Sequence, residues 1–247
     1  RPGYDILAQA EAGVMSFTGE PGGEPMRYPI AIADVTCGIY AALGILAALL
    51  AREKTGRGQF LDMALLDSQL TWLANAGSSY LNAGAEPRRL GNAHPSIVPY
   101  QPFRAGDGRY FIVAVGTEAL WKKFCATLGV SGTLECDPRF ASNRDRIEHR
   151  EELVALLDGL FQKQPATAWL KRFLAAEIPA APLQTVAEAL ADPQALARGA
   201  IVQIEHPAIG AAKSIANPVK LSGTPVTYHL PPPQLGEHTE AILRELG

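Results

Sequence analysis

Ile30–Gln59 reads IAIADVTCGIYAALGILAALLAREKTGRGQ. It holds the longest apolar run of the chain, and a lone carboxylate, Asp34, stands at its start. Ile39, Leu43, Leu46 and Leu50 recur at spacings of three and four, the period of a helix. The helix is expected from Asp34 to about Lys54. Thr55-Gly56-Arg57-Gly58-Gln59 stops it, with Gly56 as the residue just past its end. Asp34 then falls at or near the N-cap, where unpaired N–H groups of the first turn favour an ionised carboxylate. Two readings are open on the residues alone: a helix cap, or a nucleophile able to attack an activated acyl group.

Val35–Ala51 is uncharged for 17 residues, the short edge of a membrane span. Five alanines, two glycines, Thr36, Cys37 and Tyr40 lower its apolarity, and Arg52, Glu53 and Lys54 follow directly. A buried helix of an α/β domain is expected instead, with Gly38, Ala41, Ala42, Gly44 and Ala48 suited to close packing. The 247 residues can bury a sizeable core, and 47% hydrophobic against 19% charged residues favours a folded chain. A net charge of −3 without a basic block argues against a dedicated nucleic-acid binder. Cys37, Cys125 and Cys136 form no disulfide framework and read as reduced thiols, so a cytoplasmic setting is expected. The opening residues carry no signal-peptide pattern. The chain begins with Arg1, and Arg1–Gln9 looks like the entry to a helix with nothing before it to pack on. A missing N-terminal part is the expectation.

Working outward, residues 4–17 are expected to be helical and 20–25 a loop. Phe60–Leu65 is expected as a strand and 66–81 as a helix, an order typical of α/β architecture. The stretch 82–102, with Gly84, Pro87, Gly91, Pro95, Pro99 and Pro102, is read as a linker or functional loop. A strand at 109–115 and helices at 117–128, 143–162, 165–175 and 186–197 follow. A hairpin across Pro207-Ala208, the stiff Pro231-Pro232-Pro233 and a terminal helix complete the chain. Nucleotide-binding glycine motifs, HExxH and GxSxG are absent, and the five histidines have no metal-ligand spacing, so no metal is expected.

The stretch Gly3-Tyr4-Asp5-Ile6-Leu7-Ala8-Gln9-Ala10, then Gly13 and Thr18-Gly19, resembles the family III CoA-transferases. That group includes formyl-CoA, carnitine-CoA and succinyl-CoA:dicarboxylate transferases and α-methylacyl-CoA racemases. Ala33-Asp34, Gly38, Ala42-Leu43, Lys54–Gln59 and Asp62 are similar to the stretch around that family's catalytic aspartate. Gly91–Tyr100, Pro182, Asp192-Pro193-Gln194, His206-Pro207 and the tail 231–237 extend the likeness over the whole chain. The resemblance implies a Rossmann-like large α/β domain built from both chain ends, with a small α+β domain inserted, and an interlocked homodimer. On that frame 1–81 belongs to the large domain, 82–101 is a linker or active-site loop, 102–182 is the small domain, and 183–247 returns to the large domain.

The resemblance also implies a chemistry. Asp34 matches the nucleophile that takes the acyl group and then CoA, with a coenzyme A thioester as substrate, a carboxylic acid (a dicarboxylic one is expected) as acceptor, and no tightly bound cofactor. Tyr4 sits where transferases carry a tyrosine near the acyl group and racemases a histidine. A phenol of ordinary pKa about 10 is a poor second base, so Tyr4 favours transfer over racemisation. A racemase or epimerase of the same fold, or an incomplete chain acting only in assembly, are the alternatives. Asn92 and His94 fall on a loop over the active site. His94, with Arg88 or Arg89, is expected to meet a second carboxylate or an acyl oxygen. Asp5 is read either as an orienting group or as a first-turn acid. His206 is expected to be a hairpin residue, Cys37 a packing residue, and Lys54 and Arg57 surface charges. Glu237 is a tail feature able to contact the large domain or a partner chain.

Overall fold

The computed structural model describes residues 3–247. Helix α1 (Asp5–Glu11) and helix α2 (Val14–Phe17) replace the single helix expected over 4–17. Gly13, at φ 80°, turns the chain left-handed between them. Helix α3 (Ile32–Thr55) is the long helix, and Gly56 closes it at φ 70° with its N–H on the Arg52 carbonyl. The following stretch, 60–64, does not form the expected strand: no ladder partner pairs with it among the described residues. A strand exists only where a neighbour completes its hydrogen bonds. Helix α4 (Leu65–Leu70), a 3₁₀ turn over 71–73 and helix α5 (Ala74–Ala83) fill the expected helical segment after it.

Strands β1 (Tyr100–Arg104), β2 (Tyr110–Ala114) and β3 (Ala180–Pro182) form an antiparallel sheet in that order, with Phe103 opposite Phe111 and Phe111 opposite Pro182. Helix α6 (Glu118–Leu128), α7 (Asn143–Glu148), α8 (Arg150–Phe161) and α9 (Ala166–Ala175) pack with it. His149, outside helical geometry at ψ 31°, breaks the expected 143–162 helix in two. The core gathers here, between Val98 and Ile178. Phe103, Phe111, Phe124, Phe161 and Phe173 are fully buried, with Trp121 and Trp169 against them. Phe161 meets Phe111 edge-on at 5.0 Å and Trp169 at 5.3 Å. Each such ring stabilises by about 2–3 kcal/mol through burial, with roughly 0.5–1.5 more for well-angled pairs.

The chain divides after Pro182. The second unit holds helix α10 (Val186–Ala191), helix α11 (Pro193–Ala197), a hairpin of β4 (Ile201–His206) and β5 (Gly210–Ile215), and helix α12 (Thr239–Leu246). Asp192 separates its first two helices and caps the second, accepting from the Gln194 and Ala195 N–H groups. The class is mixed α/β, as expected, and both sheets among the described residues are antiparallel.

The expectation of burial for α3 is not met among the described residues. Only Ala33 and Thr36 of this helix are buried, while Ile39, Leu43, Leu46 and Leu50 stand exposed, the last at 62%. It is one helix long and apolar enough to cross a membrane by length and composition. It contacts the segment that follows it: the Trp72 indole N–H donates to Thr36 Oγ1 at 2.9 Å, and Gly44 lies close against the Leu61 side chain.

Candidate active site at the start of helix α3

Helix α3 begins at Ile32, so Asp34 is its third residue rather than its cap. The four N–H groups opening a helix need acceptors. Here the acceptor comes from another helix: Asp5 Oδ1 takes the Ala33 N–H at 2.8 Å. Its second oxygen accepts from Gln9 Nε2 at 2.7 Å. The fully buried Gln9 completes the joint, its Oε1 accepting from the Tyr28 N–H at 2.8 Å and its Nε2 also facing the Tyr28 carbonyl at 3.3 Å. Asp5 therefore locks α1 to the start of α3, a role that neither sequence reading of it named.

This arrangement leaves Asp34 spare. Its carboxylate is exposed and makes no hydrogen bond or ion pair among the described residues. Tyr4 precedes Asp5 directly and is 73% exposed, with its carbonyl accepting the Leu7 and Ala8 N–H groups. Tyr4 and Asp34 thus flank the same hydrogen-bonded pair, Asp5 and Ala33. Replacing Asp5 by alanine is expected to destabilise the protein by about 1 kcal/mol, the usual cost of a lost cap. Asp5→Asn retains one acceptor but sets an NH₂ against that of Gln9, so it should recover only part. Urea unfolding of the two variants checks this order.

Asn92 and His94 stand on the segment between α5 and β1, and no hydrogen bond joins them to Tyr4 or Asp34 among the described residues. A cavity of 570 Å³ is lined there by Phe17, Ser79, Arg88, Leu90, His94 and Ser96, among others. Arg88 shares this cavity with His94, whereas Arg89 turns away and donates to the Ser16 carbonyl at 2.9 Å. The Asn92 side chain is exposed and makes no hydrogen bond among the described residues. His94 is half-buried, its ring 4.9 Å from that of Tyr100. The Ser96 N–H donates to His94 Nδ1 at 3.1 Å, so Nδ1 is the bare nitrogen and Nε2 carries the proton of the neutral ring. The loop ring is therefore a donor at Nε2.

The remaining polar residues take local roles. His206 Nδ1 accepts from the Ala208 N–H in the hairpin turn, and Glu237 accepts from the Gln234 N–H. Lys54 and Arg57 are exposed at the end of α3, and Cys37 is half-buried in its second turn. No group of three or more His, Cys, Asp or Glu side chains able to hold a metal ion occurs among the described residues.

Comparison with known proteins joins these observations. The model of CoA-transferase family III matches residues 1–239. The chain is 41% identical over 99% of its length to the succinate–glutarate CoA-transferase of Agrobacterium fabrum, covering 60% of that protein. It is 35% identical over its whole length to human succinyl-CoA:glutarate CoA-transferase, covering 56% of it. The crystal structure of a CaiB/BaiF family protein from Brucella suis superposes at a TM-score of 0.84 and 39% identity, over all of this chain and 64% of that one. The chain thus spans about 60% of the length of such relatives. A family match that runs almost from end to end, at 41% identity to one transferase, settles the membership: this chain belongs to CoA-transferase family III.

Proposed function

We propose that the whole protein moves coenzyme A between an acyl-CoA and a carboxylic acid, with Asp34 as the nucleophile. The observation that carries this is the spare carboxylate of Asp34 on the first turn of α3, where Asp5 already does the capping. An Asp34 oxygen attacks the thioester carbonyl, the C–S bond breaks, and CoA leaves as thiolate. The thiolate attacks the aspartyl carbonyl of the resulting anhydride, which frees the first acid and leaves CoA on Asp34. The acceptor carboxylate repeats these steps in reverse and restores Asp34. Each intermediate has about the activation of the thioester it replaces, and no net proton moves.

Tyr4 and Asn92 are proposed substrate contacts, Tyr4 by its place beside the Asp5–Ala33 joint. His94, with its Nε2–H, and Arg88, which lines the same cavity, are the proposed partners of a second carboxylate. A dicarboxylic acceptor is therefore favoured, as the names of the succinate–glutarate relatives also favour. Tyr4 in place of a histidine speaks against racemisation, and deuterium uptake at the substrate α-carbon would reveal that reaction.

An aspartyl anhydride needs shelter from water. The exposed Asp34 and the bare apolar face of α3 support a reading in which the remaining length of the full protein, within a homodimer in the cytoplasm, covers both. The experiment is direct: full-length protein, succinyl-CoA and a panel of mono- and dicarboxylic acids, followed by mass spectrometry of the CoA esters. New esters of dicarboxylic acids such as glutarate are expected. A panel yielding only hydrolysis would refute transfer.

A further inference from the structure

Asn143 and Arg146 stand three residues apart on α7, and Arg150 opens α8 just past the break at His149. All three bond to the backbone of the segment 94–98. Asn143 Nδ2 donates to the Ser96 carbonyl at 2.8 Å, and its Oδ1 accepts from the Val98 N–H at 3.2 Å. Arg146 Nε donates to the Val98 carbonyl at 2.9 Å. Arg150 Nη2 donates to the His94 carbonyl at 2.8 Å and faces that of Pro95 at 3.4 Å. The backbone of residues 94–98 thus finds many of its partners in side chains of α7 and α8 rather than in a ladder.

Two of these contacts bear directly on His94. Asn143 anchors Ser96, whose N–H fixes the bare Nδ1 of His94, and Arg150 anchors the His94 carbonyl itself. Burial around Arg150 strips water from its guanidinium and lowers its pKa, and bonds from a desolvated cation to a carbonyl are among the stronger neutral-acceptor ones. We propose that Asn143 and Arg150 are positioning residues, which set the tautomer and aim of His94 so that its Nε2–H meets a carboxylate oxygen of the acid substrate. The inference rests on the reading of His94 as a substrate contact.

The test uses the full-length enzyme with succinyl-CoA and glutarate, and reads KM for each substrate, kcat and thermal melting. Arg150→Met is expected to raise KM for glutarate about tenfold, the loss of roughly one good hydrogen bond, with KM for succinyl-CoA within about twofold. Arg150→Lys should recover part of the loss. The pair His94→Ala and Arg150→Met should be no worse together than His94→Ala alone. Asn143→Asp keeps the acceptor for Val98 but has no donor for Ser96, so it carries the test if Arg150→Met fails to fold. If His94→Ala raises KM for glutarate while Arg150→Met and Asn143→Asp do not, the positioning role is wrong and the reading of His94 stands. Effects of the two changes that multiply would also overturn it. If His94→Ala leaves KM for glutarate unchanged, the reading of His94 falls and the positioning role with it.

Discussion

Replacing Asp34 by alanine in the full-length enzyme is expected to lower turnover by roughly 10⁴-fold or more, the scale seen when a covalent nucleophile is removed. Folding should be nearly unaffected. Asp34 is exposed, bonds to no described residue, and leaves the capping of α3 to Asp5. Alanine also keeps the helix propensity of the first turn. An unchanged melting temperature with abolished transfer would therefore separate chemistry from structure. A capping residue would behave in the opposite way, losing about 1 kcal/mol of stability with modest loss of rate.

The second large effect is expected at Arg146, and it is one of stability. Its side chain is 1% exposed, donates to the carbonyls of Val98 and Phe140, and pairs with Glu118 at 3.0 Å. The guanidinium lies 4.7 Å from the Trp121 ring centroid. Arg146→Met fills much of the same space but strands two buried carbonyls. The expected cost is about 3 kcal/mol, a fall in melting temperature of roughly 6–12 °C for a chain of this size. Tryptophan fluorescence would follow it, since Trp121 and Trp169 both sit in the affected core. The Arg146 hydrogen bond also holds the Glu118 carboxyl below its ordinary range. A carboxyl depressed on folding contributes stability above its unfolded pKa of about 4.3, and loses it as pH falls through the folded value. Wild-type protein should therefore weaken further below about pH 4 than Arg146→Met does, and only modestly, because Glu118 is 51% exposed and screened by water.

How much of this was legible from sequence depended on how local the cause was. Helix α3 announced itself through Ile39, Leu43, Leu46 and Leu50, because a helix satisfies its hydrogen bonds within its own segment. The stretch at 60–64 could not be judged that way, since strand character depends on a neighbour. Strand β1 is hidden by Pro102 for a related reason. Pro102 lacks an N–H, yet β1 is the edge of its sheet, where one face of the ladder asks for none. The break at His149 falls in the polar run 143–152, which holds one apolar residue, Ile147, and so has no apolar period to interrupt.

The candidate site divides in the same way. Asp34 and Tyr4 stood out through the stretches around them. That Asp5 caps a helix beginning 27 residues later is a tertiary fact, which spacing alone does not offer. Arg88 and Arg89 are neighbours in sequence and were inseparable there; the fold sends one to the cavity of His94 and the other to Ser16. Asn143 and Arg150 carry no signal of their own in sequence, since they lie in the polar run 143–152 where Ile147 is the one apolar residue, and their shared target is set by the fold.

The central claim is that CoA becomes covalently attached to Asp34. Full-length protein mixed with succinyl-CoA, quenched in acid and digested, can be searched by mass spectrometry for the peptide that carries CoA. CoA in thioester linkage on Asp34, cleared by hydroxylamine and absent from Asp34→Ala, is the expected result. Sustained turnover with CoA on another residue, or with none on Asp34, would contradict it.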